Sequence, residues 1–267
     1  MTTDNSTAAA ESMVLDAEQR RSFDRDGYLV LPGFLPTELV DKLREEVDGW
    51  VDEGLRAEAI ACCVDPGRRE PPRVMELDLP THARLTVYPP LMSVLEQLMG
   101  PAFAFHHLHT DRHPPDLPGK GWHHDYEQRP QRDRSHLMVH ALHYLDGLDD
   151  QTASLVVLPG SHRQVREKTA LGELGTDPIA GERVIDSLPT GSTVILHSAL
   201  FHARRARSGG RRPRYFTDAS YCQVGKRWPP VKPYWREMLR RGRRVDPDGR
   251  WPDLFAERHF TEYDKPM

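Results

Sequence analysis

The segment Gly121-Trp-His-His-Asp-Tyr126 places His123 and Asp125 two residues apart. On an extended strand, residues i and i+2 point to the same face, so an imidazole and a carboxylate would project together. Two ligands leave a metal exchangeable, and a third is expected from a later strand. His202 suits, since it follows the apolar run Ser192-Thr-Val-Ile-Leu-His197 and sits within Ala199-Leu-Phe-His-Ala203. Two histidines and one carboxylate on one face of an octahedron leave three positions open, the arrangement used by non-haem Fe(II) oxygenases. In a chain with 14 histidines a His-x-Asp pair alone carries little information. The flanking Trp122 and Tyr126 and the distal histidine give it weight.

Those side chains need elements to position them. A helix is expected from Asp16, with Gln19 as its capping-box partner, to Gly27. The run Tyr28-Leu-Val-Leu-Pro-Gly-Phe34 reads as a buried strand. Thr37 is expected to cap a second helix, with Leu39, Val40, Leu43, Val47, Trp50 and Val51 on one face. Residues 65–73 read as a loop, and Leu91–Met99 as an amphipathic helix closed by Gly100 and Pro101. Beyond Pro101, short β-type runs at 102–111, 121–126, 135–146, 154–158, 192–197 and 214–223 alternate with turn signals. That spacing argues a β-sandwich or small barrel. The 163–190 stretch is expected to be loop with a short helix over one end of the barrel, and Lys232–Arg241 a last helix.

A chain of 267 residues accommodates one large domain, here assigned to 15–267 behind a small, polar, disordered arm at 1–14. Thirty-six basic and 40 acidic side chains leave a net charge of −4, which does not suggest a nucleic-acid partner. No run approaches the ~20 apolar residues of a membrane span, and the first residues lack the basic-then-apolar pattern of a signal peptide. Cys62, Cys63 and Cys222 make neither a disulfide framework nor a C-x-x-C pair. The expectation is a soluble, cytoplasmic monomer or homodimer with reduced thiols and a small-molecule substrate.

Four strings occur in order along nearly the whole chain: Phe23-Asp-Arg-Asp-Gly-Tyr-Leu-Val-Leu-Pro-Gly-Phe34, Trp122-His-His-Asp125, Leu155-Val-Val-Leu-Pro-Gly-Ser-His-Arg163, and Phe201-His202 followed by Arg212-Pro-Arg214. Together they resemble the phytanoyl-CoA dioxygenase superfamily of 2-oxoglutarate oxygenases. Thr152-Ala153 stands where the family usually has Asn-Gly, and the step from His202 to Arg214 is one residue longer than the family pattern. The resemblance implies a mainly β fold with flanking helices around a double-stranded β-helix (jelly-roll, cupin-like) core. It also implies Fe(II) on His123, Asp125 and His202, with 2-oxoglutarate as co-substrate and O2 as oxidant. The keto oxygen and adjacent carboxylate of 2-oxoglutarate would chelate iron, leaving its distal carboxylate to be neutralised inside a narrow barrel. Arginine suits that task, because its planar fork binds a carboxylate bidentately. Arg214 matches the family position. Arg212 has the same strand parity and lies nearer the family spacing, so it is the rival; Arg211 has the opposite parity. Arg204, Arg205, Arg207, Arg211 and Arg212 crowd this stretch, either as a solvated turn or as an electrostatic funnel for anionic substrates.

Other residues have bland readings beside functional ones. His124 should face away from the metal, and His162 should stabilise a turn. His107 and His109 share a strand face with Phe105 and Asp111, which either packs or lines the pocket. Trp122 and Tyr126 either border the substrate or pack in the core. Lys226, Arg227 and Lys232, beside Trp228 and Tyr234, form either a lid or a solvated tail. The function expected is hydroxylation of an aliphatic C–H in specialised metabolism. Desaturation, epoxidation and ring closure are open to the same core, and Asp125 disfavours halogenation. A metal-binding barrel without turnover and a zinc hydrolase are the alternatives from other classes.

Overall fold

A computed structural model describes residues 13–65 and 70–264, so most of the N-terminal arm and the middle of the 65–73 loop lie outside the described residues. Helix α1 (Ala17–Asp26) begins at the expected capping box. The Asp16 carboxylate accepts from the Gln19 N–H at 2.8 Å, and the Gln19 side chain accepts from the Asp16 N–H at 2.9 Å. It stops at Gly27, whose φ of +84° is left-handed and which leads straight into β1 (Tyr28–Leu31). Helix α2 (Thr37–Asp52) differs from expectation at its start. Pro36, extended at φ −67° and ψ 151°, takes the cap position, so Thr37 is the first helical residue and caps nothing. Val40, Leu43, Val47 and Trp50 form its buried face.

Two short helices carry no clear sequence signal: α3 (Leu55–Val64), which follows Gly54, and α4 (Pro80–Leu85). Helix α5 (Pro89–Met99) starts on a Pro-Pro pair, whose missing N–H groups fall where a helix has no use for them, and it ends at Gly100. Leu91, Val94 and Leu95 are fully buried there, each removing apolar surface worth roughly 1.5–3 kcal/mol.

The strands are β2 (Phe103–His113), β3 (Lys120–His123), β4 (Met138–Tyr144), β5 (Ser154–Val157), β6 (Arg183–Ile185), β7 (Ser192–His197), β8 (His202–Arg205) and β9 (Arg214–Gln223). Among the described residues they form a five-stranded sheet, β1-β7-β4-β9-β2, and a four-stranded sheet, β3-β8-β5-β6, with every ladder antiparallel. This is the expected mainly β, jelly-roll architecture with flanking helices. A cavity of about 430 Å³ lies between the sheets. On the other face of the large sheet, Phe23 of α1, Leu95 of α5 and Trp235 of α6 (Trp235–Gly242) share one apolar cluster with Val139, Ile195 and Ala219. The 163–190 stretch holds a single 3-10 turn at Gly172–Leu174 and the edge strand β6.

Register decides which side chains reach the cavity. Across β2 and β9, His113 pairs with Arg214, Asp111 with Phe216, His109 with Asp218 and His107 with Ser220. The ladder then slips by one residue between His107 and Phe105. That bulge turns Phe105 to the opposite face, where it packs on Tyr221 and Phe255 with ring centroids 5.8 and 5.5 Å away. Phe105 therefore does not share a face with His107 and His109, contrary to the simple alternation read from the sequence. No helix among the described residues is long and apolar enough to cross a membrane.

Candidate metal centre and co-substrate pocket

His123 and His202 stand opposite each other in the β3–β8 ladder, their ring centroids 4.3 Å apart. Asp125 lies two residues beyond the end of β3, and its main chain is held by a 2.8 Å bond from its N–H to the Ser198 carbonyl. Its Oδ2 comes within 3.7 Å of His123 Nε2 and 3.2 Å of His202 Nε2. All three side chains thus reach one point, with ligand atoms within 4.8 Å of one another.

The tautomers are set for ligation. His123 Nδ1 bonds the Gly121 carbonyl at 2.7 Å and His202 Nδ1 bonds the Leu200 carbonyl at 3.0 Å. A carbonyl only accepts, so both Nδ1 atoms carry the proton and both Nε2 lone pairs face Asp125. His123 Nε2 is buried without a hydrogen-bond partner. Burial, reinforced by the neighbouring His202, pushes the His123 imidazole down to about 3, so it stays neutral. Two imidazoles that present Nε2 to a carboxylate, one of them a buried nitrogen with no partner, fit a divalent metal.

The cavity runs from this cluster to Arg214. Arg214 is 7% exposed. Its Nη2 donates to His113 Nδ1 at 3.3 Å, its guanidinium lies 5.2 Å from the Phe216 ring centroid, and its Nε is buried unpartnered. No carboxylate pairs with it among the described residues, and burial pushes the guanidinium down to about 10. A desolvated guanidinium that lines the cavity and pairs with none of its aspartates is suited to an incoming carboxylate. Arg212 is elsewhere: it sits exposed in the turn before β9, ion-paired with Asp149. Arg207 and Arg211 are also exposed, and Arg205 is paired with Glu182 at 2.8 Å. Of that basic run, Arg204 and Arg214 line the cavity.

Further polar residues complete the wall. Asp111 is met by Arg56 at 2.7 Å and by His113 Nε2 at 2.9 Å. Burial pushes its carboxyl up, yet His113 and Arg56 outweigh that and hold it at about 2. His140 Nδ1 bonds Asp218 at 2.9 Å, and His140 Nε2 is left buried and unpartnered. Burial alone would lower this imidazole, but the Asp218 carboxylate raises it overall. A second grouping of His107, His140 and Asp218 also has metal-ligand types in proximity, though the His140–Asp218 bond already accounts for it.

The remaining residues fall outside the chemistry. His124 turns away, its Nε2 on the Arg166 carbonyl at 3.0 Å. His162 reaches the Asp24 carbonyl at 3.3 Å, tying its turn to α1. Trp122 is buried in the cluster of the small sheet and Tyr126 beside Trp228, so both are core residues. Lys232 is buried and paired with Glu76, not part of a solvated tail, whereas Arg227 is exposed. The sequence assigns no role to His113 and His140 and does not single out Arg56 or Asp218; a strand parity extended two residues past Asp111 places His113 on the cavity face.

A double-sheet barrel with two histidines and a carboxylate at one end of its cavity and an unpaired arginine at the other defines the class of non-haem iron oxygenases. Residues 23–214 match the family model described as phytanoyl-CoA dioxygenase, and the chain belongs to that family. It is a non-haem Fe(II)- and 2-oxoglutarate-dependent dioxygenase, and iron, 2-oxoglutarate and dioxygen are the cofactors of its class. It is 24% identical over 241 residues to the peroxisomal phytanoyl-CoA dioxygenase of Mus musculus, covering 80% of this chain and 70% of that one. Its fold is similar to EctD from S. alaskensis, solved with 2-oxoglutarate and 5-hydroxyectoine, at TM-score 0.62 and 22% identity over 83% of each chain. It is also similar to HygX from Streptomyces hygroscopicus with nickel and 2-oxoglutarate bound, at TM-score 0.60 and 20% identity over 80% of this chain and 89% of that one.

Proposed function

We propose that His123, Asp125 and His202 hold one Fe(II), that Arg214 rather than Arg212 anchors the distal carboxylate of 2-oxoglutarate, and that the enzyme hydroxylates an aliphatic C–H of a small polar molecule in specialised metabolism. The observation that carries this reading is the pair of imidazoles whose Nδ1 protons are committed to backbone carbonyls while both Nε2 atoms converge on Asp125. With 2-oxoglutarate and O2, iron(II) supplies an oxidant for unactivated C–H bonds while the co-substrate becomes succinate and CO2. The chain's own part is to fix the ligands, neutralise the co-substrate and present the C–H.

The substrate reading rests on the wall beyond the ligands. His109, His140, Asp218 and Lys120 give it hydrogen-bonding groups, while Leu117, Leu142 and Leu196 give it apolar surface. A long unbranched hydrocarbon would leave the buried His140–Asp218 pair against methylenes, which is unfavourable. Lys120, exposed at the rim, favours an anionic substrate. Desaturation, epoxidation or ring closure would use the same residues. We also take 15–267 as one domain, since α1, α5 and the C-terminal segment share a core with the large sheet. A reducing, cytoplasmic setting is in keeping with three cysteines that form no disulfide among the described residues. The test is a library of polar small molecules screened by stoichiometric succinate release with Fe(II), 2-oxoglutarate and O2. Succinate coupled to an oxygenated product supports the reading. A tight-binding ligand that never couples to succinate would favour the non-catalytic alternative.

A further inference from the structure

We propose that Arg204 is a second arginine of the 2-oxoglutarate site, so that the distal carboxylate is clamped between Arg204 from the small sheet and Arg214 from the large one. The inference rests on Arg214 as the anchor and adds a residue that the family position does not single out.

Arg204 lies two residues past His202 on β8 and shares its inward face. It stands opposite Lys120 on one side and Leu155 on the other. Its Nη1 donates to His113 Nδ1 at 3.2 Å, and Nη2 of Arg214 donates to the same nitrogen at 3.3 Å. One imidazole lone pair therefore serves two guanidiniums from opposite sheets, although one donor would satisfy it. The Nε2 side of that ring faces Asp111, so the proton sits there and Nδ1 is free to accept.

Neither arginine has an acid partner among the described residues. Arg204 Nη1 also lies 3.5 Å from His113 Nε2 and its Nη2 donates to the Pro118 carbonyl at 2.8 Å, Arg214 Nη1 donates to the Ala153 carbonyl at 3.5 Å, and the Nε atoms of both arginines are buried unpartnered. Asp111, the carboxylate whose charge both feel, is already engaged by Arg56 and His113. Two cations sharing one neutral acceptor repel each other. A carboxylate between them replaces that repulsion with two charge-assisted contacts. The rest of the basic run is spent otherwise, with Arg205 on Glu182 and Arg212 on Asp149.

The experiment is an anaerobic titration of 2-oxoglutarate into the Fe(II) enzyme without substrate, following the visible charge-transfer band. Wild type is compared with Arg204→Gln, Arg204→Lys, Arg214→Gln and Lys120→Gln, each checked by thermal melting. Arg204→Gln should raise the dissociation constant roughly tenfold or more, the scale of one charge-assisted bond. Arg204→Lys should recover part of the loss, and Lys120→Gln, which removes a rim cation, should have a much smaller effect. If Arg204→Gln does not fold, Arg204→Lys carries the test through a smaller rise. Wild-type affinity in Arg204→Gln beside a weakened Arg214→Gln overturns the clamp and leaves the single anchor standing; it is also the result expected if Arg204 serves a carboxylate of the substrate. An equal loss in Lys120→Gln reduces Arg204 to a general field effect and overturns the clamp as well. Undiminished affinity in Arg214→Gln overturns the anchor itself.

Discussion

His123 and His202 each donate their Nδ1–H to the carbonyl two residues earlier in the chain, Gly121 within β3 at 2.7 Å and Leu200 just before β8 at 3.0 Å. Because the two residues are directly paired in the β3–β8 ladder, this repeated local bond aims both Nε2 atoms at the same point. Orientation of the two imidazoles is thus a property of the backbone in β3 and in the turn entering β8. Metal-ligand histidines are commonly held in this way by a carbonyl or a carboxylate.

The anchor assignment separates two neighbouring arginines. Arg214→Gln should raise the 2-oxoglutarate dissociation constant roughly 30-fold or more, since a buried charged pair lost costs about 2–5 kcal/mol. Arg212→Gln should leave it within about twofold, because an exposed ion pair contributes about 1 kcal/mol or less even to its own partner. Anaerobic titration of both variants checks this. A loss confined to Arg212→Gln would reverse the assignment.

Reaction outcome should follow from Asp125. In the proposed iron site its carboxylate would take the coordination position that a halide needs, so turnover in excess chloride should still give an oxygenated or desaturated product. Mass spectrometry of the products decides, and a chlorinated main product would contradict the account.

Acid stability should depend on Glu46. This residue of α2 accepts the Thr81 and His82 N–H groups at 2.7 and 3.0 Å and His82 Nδ1 at 2.7 Å, tying α2 to α4. Burial pushes the carboxyl up, but the bonds from His82 and Thr81 outweigh it and hold it at about 2. A depressed folded value means the stabilisation is fully present above the ordinary value of 4.5 and is lost as pH falls through about 2. Allowing for solvent screening of a half-buried group, its share is about 1–2 kcal/mol. Urea melts of Glu46→Gln should therefore show less loss between pH 5 and pH 2 than wild type; parallel curves would remove Glu46 from the explanation.

Gly27 joins two of the sequence strings that carry the family resemblance. It ends α1 at φ +84°, and a Cβ there would lie 2.4 Å from Nδ1 of His162 in the Pro-Gly-Ser-His turn. Gly27→Ala combines a left-handed penalty with that clash and should destabilise the protein by about 2–3 kcal/mol. Chemical denaturation measures it, and an unchanged midpoint would mean the turn can move aside.

Much of the site was legible because strand parity is short-ranged. Parity singled out His123 and Asp125 as i and i+2 of a strand expected at 121–126, although β3 ends at His123 and Asp125 follows it in irregular chain; Arg214 stood out by its place after Pro213. The same parity applied to His202 points to Arg204, but His-Ala-Arg-Arg looks like a charged turn. Only its pairing with β3 and β5 makes it a strand. The bulge that separates Phe105 from His107 has no local signature, and neither has Lys232, whose partner Glu76 is 156 residues away. Helix α3 was hidden for a related reason: what stabilises it is burial of Leu55, Ala59 and Cys62 against distant residues.

The central claim is that His123, Asp125 and His202 form one iron site. The most direct measurement is anaerobic Fe(II) titration in the presence of 2-oxoglutarate, comparing wild type with Asp125→Ala. One iron per chain is expected for wild type, with a visible charge-transfer band that saturates at that ratio. In Asp125→Ala the loss of a charged ligand should abolish the band or weaken iron affinity by roughly 100-fold or more. One tightly bound iron with an unchanged band in Asp125→Ala would contradict the account.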